Sequence, residues 1–304
     1  MRRILLVVAL LAALAALAAG CGSDEGDEGD GAAAPATTGA AEQPDPCARE
    51  ELTLVNEGRL TIGTDNPAFP PWFEGGTPDG SQWEINDPST GEGFESAVAY
   101  AVAEELGFSE DEVEWVVVPF NQSFRPGPKS FDFDINQISY AEERDRAVDF
   151  SDSYYDVNQA VVTLQASEFA DATSTAELAE AKLGAPIGTT SYDYVVENVQ
   201  PSEDPAVYDT LNDAVSGLKN RQVDGIVVDL PTAFFITAVQ VPNGKIVGQF
   251  PSVGGQEYFG MVFEEGNPLR DCVNDALAAL KASGELDAIQ QEWLADKTDA
   301  PVLE

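Results

Sequence analysis

Arginine is scarce in this acidic chain, yet Arg144 and Arg146 follow a strand-like run in FDFDINQISYAEERDRAVDFSDSYY, residues 131–155. A guanidinium at a strand end faces whatever binds there, and its planar fork of donors suits a carboxylate. The turn Gly188-Thr189-Thr190 stands before a helix-like segment, so its hydroxyls and backbone N–H groups form a second anion-seeking group. Asp229 closes the apolar run Ile226-Val227-Val228, where a carboxylate is costly unless a cation meets it. Arg144 and Thr190 for a carboxylate, with Asp229 for an ammonium, fit a small zwitterion such as a free amino acid. Each group has a plainer use. Arg144 would otherwise pair with Glu142, Glu143 or Asp149 on an exposed helix, and Thr189, Thr190 and Asp229 would be helix caps. Arg146 is assigned to the surface.

Such groups must be brought together by the elements that carry them. Four turns each follow a strand-like run: GTDNPAFPPWF from Gly63, ISYAEERDRAVDFS from Ile138, GTTSYD from Gly188 and VVDLPTA from Val227. In a two-lobed chain, the first two turns belong to one lobe and the last two to the other, with strand ends facing across a cleft. The remaining strand-like runs are EVEWVVVPF, DVNQAVVTL, KIVGQF and EYFGMVFE. Phe94, Val98, Val102 and Leu106 recur at helical spacing up to Gly107. Pro231 opens a helix at its first turn, and Gly284 breaks the last helical run into a hairpin. Strands alternating with helices predict an α/β architecture with mostly parallel sheets, whose ligands sit beyond the carboxyl ends of strands.

Composition removes whole classes of function. The formal net charge of −39 leaves no clustered cations for nucleic acid or for an anionic membrane surface. Its plain meaning is a heavily solvated acidic surface. There is no histidine, which excludes His-based triads, imidazole proton shuttles and His-ligated metals. Neither a cofactor nor a metal is expected.

Arg2 and Arg3 precede the apolar run ILLVVALLAALAALAA, then Gly20 and Cys21. A positive end, a short apolar core and small residues describe an export signal. LAAG before Cys21 resembles the lipobox of bacterial lipoproteins, with Ala18 where Leu is commoner. That resemblance implies cleavage after residue 20 and a diacylglycerol on Cys21. Residues 22–46, rich in Gly, Ala, Pro and acid, then form a disordered tether. Cys47 and Cys272 remain as an even pair in an oxidising compartment, expected as a disulfide, with two buried thiols as the other reading.

The order of these segments resembles the bacterial extracellular solute-binding proteins of family 3, the polar amino-acid receptors of ABC importers. RLTIGTDNPAFPPWF is similar to the family's opening strand and aromatic-Pro-Pro turn. GEGFESAVAYAVAEELG is similar to the next helix, with Glu95 where Asp is usual. IGTTSYDYV, QVDGIVVDLPTA and CVNDALAALKASGELDAIQQEWL continue the likeness, from about Glu51 to Asp296. It implies a two-lobed periplasmic-binding-protein-like fold of type II, with two mixed sheets flanked by helices and a two-strand hinge. Lobe one is expected at 51–155 and 256–304 and lobe two at 156–255, after the signal at 1–20 and the lipidated tether at 21–50. The likeness also implies roles. Arg144 clamps the α-carboxylate with Ser139 and Thr190, and Asp229 takes the ammonium with the Gln137 carbonyl and Ser139 hydroxyl. Phe69 stacks on the ligand side chain and Phe120 forms a second wall. Asp65 either faces the side-chain pocket or caps its own turn. By alternation Asp134 and Asn136 point away from the cleft, with Lys129 or Arg125 neutralising Asp134. The implied partners are a permease with its ATPase subunits, and the membrane through the anchor; the chain itself is a monomer outside the cell. A dehydratase acting on a cyclic carboxylate and a ligand sensor are the rival readings.

Overall fold

The computed structural model describes residues 45–295 and 299–304. The export signal, Cys21 and all but the end of the expected tether lie outside them. In chain order the elements begin with β1 (Leu60–Thr64), α1 (Phe94–Glu105), β2 (Val113–Val117), α2 (Phe120–Ser123), β3 (Phe133–Asp134) and β4 (Asp149–Phe150). β5 (Tyr155–Val157), β6 (Gln159–Leu164), β7 (Leu183–Pro186), α3 (Thr190–Tyr194), β8 (Ala206–Tyr208), α4 (Leu211–Lys219), β9 (Gly225–Asp229) and α5 (Leu230–Phe235) follow. The chain then forms β10 (Gly244–Gln249), β11 (Glu257–Phe259), β12 (Val262–Phe263), α6 (Leu269–Ser283) and α7 (Glu285–Leu294).

Two five-stranded mixed sheets result, ordered β2-β1-β3-β12-β4 and β10-β6-β9-β7-β8. They define two lobes. β5 and β11 pair antiparallel as the two-strand hinge between them. The first sheet is covered by α1, α6 and α7, whose Phe94, Val98, Val102, Leu277, Leu280 and Leu294 join one core with Leu60, Ile62 and Phe133. Along β6 and β9 the apolar side chains alternate between faces, as strand geometry requires. Val162, Ile226 and Val228 pack with α4 and α5, while Val161 and Val227 pack with Leu178, Val195 and Phe250. Gly284 at φ 82° separates α6 from α7, the left-handed conformation glycine tolerates at a helix end.

Cys47 and Cys272 form a disulfide across 225 residues, fixing the entry of the first lobe to α6. By loop entropy so long a closure contributes about 5 kcal/mol. Three sequence expectations change. EYFGMVFE is not one strand: β11 belongs to the hinge and β12 to the first sheet. The chain after residue 255 does not stay in the first lobe, because Val302 pairs with Gln249 while Ala300 and Leu303 join the second lobe's cores. Lys129 makes no direct ion pair with Asp134, since its ammonium donates to the Ser123 and Arg125 carbonyls, and its charge only partly offsets the burial of that carboxylate. Asp134 is fully buried and accepts no hydrogen bond among the described residues. Gly63 is what admits it: a Cβ there would lie 2.5 Å from Asp134 Oδ2.

Candidate functional site

Between the lobes lies a cavity of about 440 Å³. From the first lobe it is lined by Asp65, Phe69, Phe120, Asn136, Gln137, Ser139 and Arg144. From the second come Gln159, Thr189, Ser191, Asp229 and Thr232, with Phe259 of β11 at its base.

Arg144 starts a single helical turn between β3 and β4 and is buried. Nη1 donates to Ser139 O and Nη2 to Gly188 O, both at 2.7 Å, so the side chain already spans the two lobes. Its guanidinium carbon lies 4.5 Å from the Phe124 ring centre and 5.7 Å from that of Phe120, a cation–π cradle that leaves other N–H donors facing the cavity. Burial lowers its pKa, opposed by Asp193, Glu257 and Glu143; a guanidinium remains charged regardless. The exposed-helix reading of Arg144 is excluded. Arg146 is the surface residue, 3.9 Å from Glu142.

Asp229 ends β9 and faces the cavity beside Gln159, its register partner on β6. Oδ1 accepts from Thr232 N at 2.9 Å, so the residue caps α5 as well as lining the site. Burial raises its carboxyl to about 6, tempered by the Thr232 bonds. Thr189 likewise caps α3, accepting from Tyr192 N at 3.2 Å and donating to Pro186 O at 2.8 Å. Asp65 lines the cavity and caps its own turn, accepting from Asn66 N at 2.7 Å; burial raises its pKa. For these residues the cap and the cavity wall are one arrangement.

Asn136 is the correction. Strict alternation would turn it from the cleft, but β3 ends at Asp134 and Gln137 is left-handed at φ 48°. The chain therefore leaves strand geometry, and Asn136 lines the cavity with Gln137. Buried Glu95 holds that twist, accepting from Gln137 N at 2.7 Å, from Gln137 Nε2 and from the Tyr154 hydroxyl. Burial carries the Glu95 carboxyl to about 7. Its sequence signal was the unusual Glu after Phe94.

Contacts across the cleft extend beyond Arg144. Trp72 Nε1 donates to Thr232 Oγ1 at 3.0 Å, and the Phe69 and Phe235 ring centres lie 6.2 Å apart. Thr190 does not line the cavity. Its hydroxyl donates instead to Glu257 on β11 at 2.6 Å. Nothing in the sequence singled out Glu257 or Gln159. No group of three or more possible metal-ligating side chains occurs among the described residues.

With this geometry in hand, residues 60–296 match the model of the bacterial extracellular solute-binding proteins, family 3. The chain belongs to that family. The L-cystine-binding protein TcyJ of Escherichia coli (strain K12) is 27% identical over 248 residues, covering 80% of this chain and 85% of that protein. The ABC transporter glutamine-binding protein GlnH of Bacillus subtilis (strain 168) is 24% identical, covering 69% and 76%. Among solved structures, an ancestral arginine-binding protein bound to glutamine aligns with TM-score 0.62 and 29% identity, over 78% of this chain and 98% of that one. A substrate-binding protein of an amino acid ABC transporter aligns with TM-score 0.63 and 27% identity, over 78% and 100%. The type II two-lobed fold is therefore that of its family.

Proposed function

We infer that this family member is the extracytoplasmic capture component of an ABC importer, taking up a free polar amino acid between its lobes and handing it to a permease. The observation that carries the reading is the shared cavity. Arg144 of one lobe and Asp229 of the other line it together, a cation and a carboxylate for the two ends of a zwitterion. Relatives whose names specify cystine, glutamine and arginine point to the same ligand class. In this reading Arg144 meets the α-carboxylate and Asp229 the ammonium, with the Gln137 carbonyl as a further acceptor. Phe69 and Phe120 flank the side chain, and Asp65 stands at its far end. Each lobe alone offers half a site, so occupancy and closure are coupled. The protein acts by binding, without chemistry. A monomer held to the outer face of the membrane through a lipid on Cys21 completes the assignment.

A thermal-shift screen of the twenty L-amino acids tests it, because a ligand of the folded state alone stabilises by RT ln(1 + [L]/Kd). At a hundred times Kd that is about 2.7 kcal/mol, a rise of several degrees. One or a few polar amino acids should produce it and survive incubation chemically unchanged. Flat melting curves for all twenty would remove the amino-acid assignment, and consumption of the ligand would favour the dehydratase reading.

A further inference from the structure

Glu257 sits on the hinge strand β11, half-buried and between the lobes. Oε1 accepts from Ser139 Oγ at 2.6 Å, from Thr190 Oγ1 at 2.6 Å and from Gln159 Nε2 at 3.0 Å; Oε2 lies 3.1 Å from the same amide nitrogen. Ser139 belongs to the first lobe, Thr190 and Gln159 to the second, so one carboxylate spans the cleft. The direction of these bonds is fixed from behind. Ser191 Oγ donates to Gln159 Oε1 at 2.6 Å, which turns the amide nitrogen towards Glu257. A hydroxyl carries a single proton, and those of Ser139 and Thr190 are committed to Glu257. Of the two, Ser139 lines the cavity and is the hydroxyl assigned above to the ligand's carboxylate, while Thr190 holds Glu257 from the second lobe.

We propose that Glu257 is an internal competitor for that carboxylate and an affinity-setting residue of the site: it straps the lobes through the Ser139 and Thr190 hydroxyls, and a carboxylate ligand must displace it. Two anions cannot share the single Ser139 hydroxyl proton, and their charges repel at such a distance. Strap and ligand carboxylate therefore exclude each other, and apparent affinity falls by the fraction of molecules held strapped. Arg144 is outside this contest, since its bonds to Ser139 O and Gly188 O leave further donors. The competition half of the proposal rests on the amino-acid reading; the strap half does not.

The test uses Glu257→Gln, which keeps the shape but loses the charge, and Glu257→Ala. Titration calorimetry compares L-arginine with agmatine, L-histidine with histamine, and L-glutamine with 4-aminobutanamide, each amine being the amino acid without its carboxylate. In both variants the affinity ratio of amino acid to amine should rise by about tenfold or more, the worth of one charge-assisted hydrogen bond. A ratio that stays or falls overturns the competition. Small-angle scattering of the ligand-free proteins reads the strap directly, with both variants more extended than the parent. Unchanged scattering overturns the strap. If none of the three pairs binds the parent protein, the competition half is overturned for these ligands while the twenty-amino-acid screen decides the amino-acid reading, and scattering still decides whether Glu257 ties the lobes.

Discussion

In the first lobe Glu95, Asp132, Asp134 and Arg144 are all buried, whereas the second lobe buries only neutral polar side chains: Gln159, Thr163, Ser191 and Thr232. Its ionisable contribution to the cleft is Asp229, at a strand end where the first turn of α5 helps to hold it. The buried charges of the first lobe are met unequally. Asp132 accepts from Val55 N and Thr61 N at 2.7 Å each, and Glu95 from three donors. Asp134 has none, and burial pushes its carboxyl far above the ordinary range. Most of the sensitivity of folding to pH should therefore reside in the first lobe, with Asp229 the second lobe's contribution. The second lobe offers backbone N–H groups and a single carboxylate to the ligand, and carries that burden at Asp229 alone among its described cavity-lining residues.

Arg144→Ala removes the one cation lining the cavity among the described residues and is the hardest blow to this division. Truncating one side of a buried charged contact costs about 2–5 kcal/mol, so affinity for any carboxylate ligand should drop by about thirtyfold or more. Circular dichroism should report an intact fold, because the side chain's neighbours are two carbonyls and two aromatic rings. Retained affinity would return Arg144 to a structural role.

Glu95→Gln probes the burden on the first lobe. The Glu95 carboxyl stands at about 7 against about 4.5 for a solvated glutamate, so between these pH values the folded state holds a proton that the unfolded state has released. Stability from this group is present below pH 4.5 and is lost as pH rises to about 7, by roughly 3 kcal/mol. Urea unfolding of the parent should show that decline between pH 5 and 7.5, and the variant should be flatter. The same slope in both proteins would mean that other groups carry the titration.

Asp229→Asn sharpens the second half of the comparison and should have the smallest effect. Loss of the ammonium's charged partner weakens binding by about 1.5–3 kcal/mol. In the parent, affinity should fall as pH drops through about 6, where Asp229 takes up a proton. The variant should lose that dependence. Parallel pH profiles for the two proteins would take the ammonium away from Asp229.

Much of the fold was legible because its signals are local. The spacing of Phe94, Val98 and Val102, the apolar run before Asp229, Pro231 at a helix start and Gly284 after α6 each act within one or two turns of chain. Asp229 was also readable, as a charge placed where strand chemistry makes charge expensive, and Arg144 as a guanidinium in the segment that resembles the family's carboxylate-binding stretch. The disulfide followed from the cysteine count once Cys21 was set aside.

What stayed hidden depends on chains meeting far apart in sequence. Asn136 turned inward because Gln137 is left-handed, a conformation held by Glu95 forty-two residues away. Glu257 looked like any surface glutamate beside a tyrosine, until the hinge brought it to Ser139 and Thr190, 118 and 67 residues distant. Periodicity and turn chemistry determine which strands and helices this sequence makes, and which charges end them. Whether a hydroxyl at such an end gives its proton to a ligand or to the chain itself is decided only when the two lobes close on the hinge, because a hydrogen bond depends on position within a few tenths of an ångström and no local signal carries that.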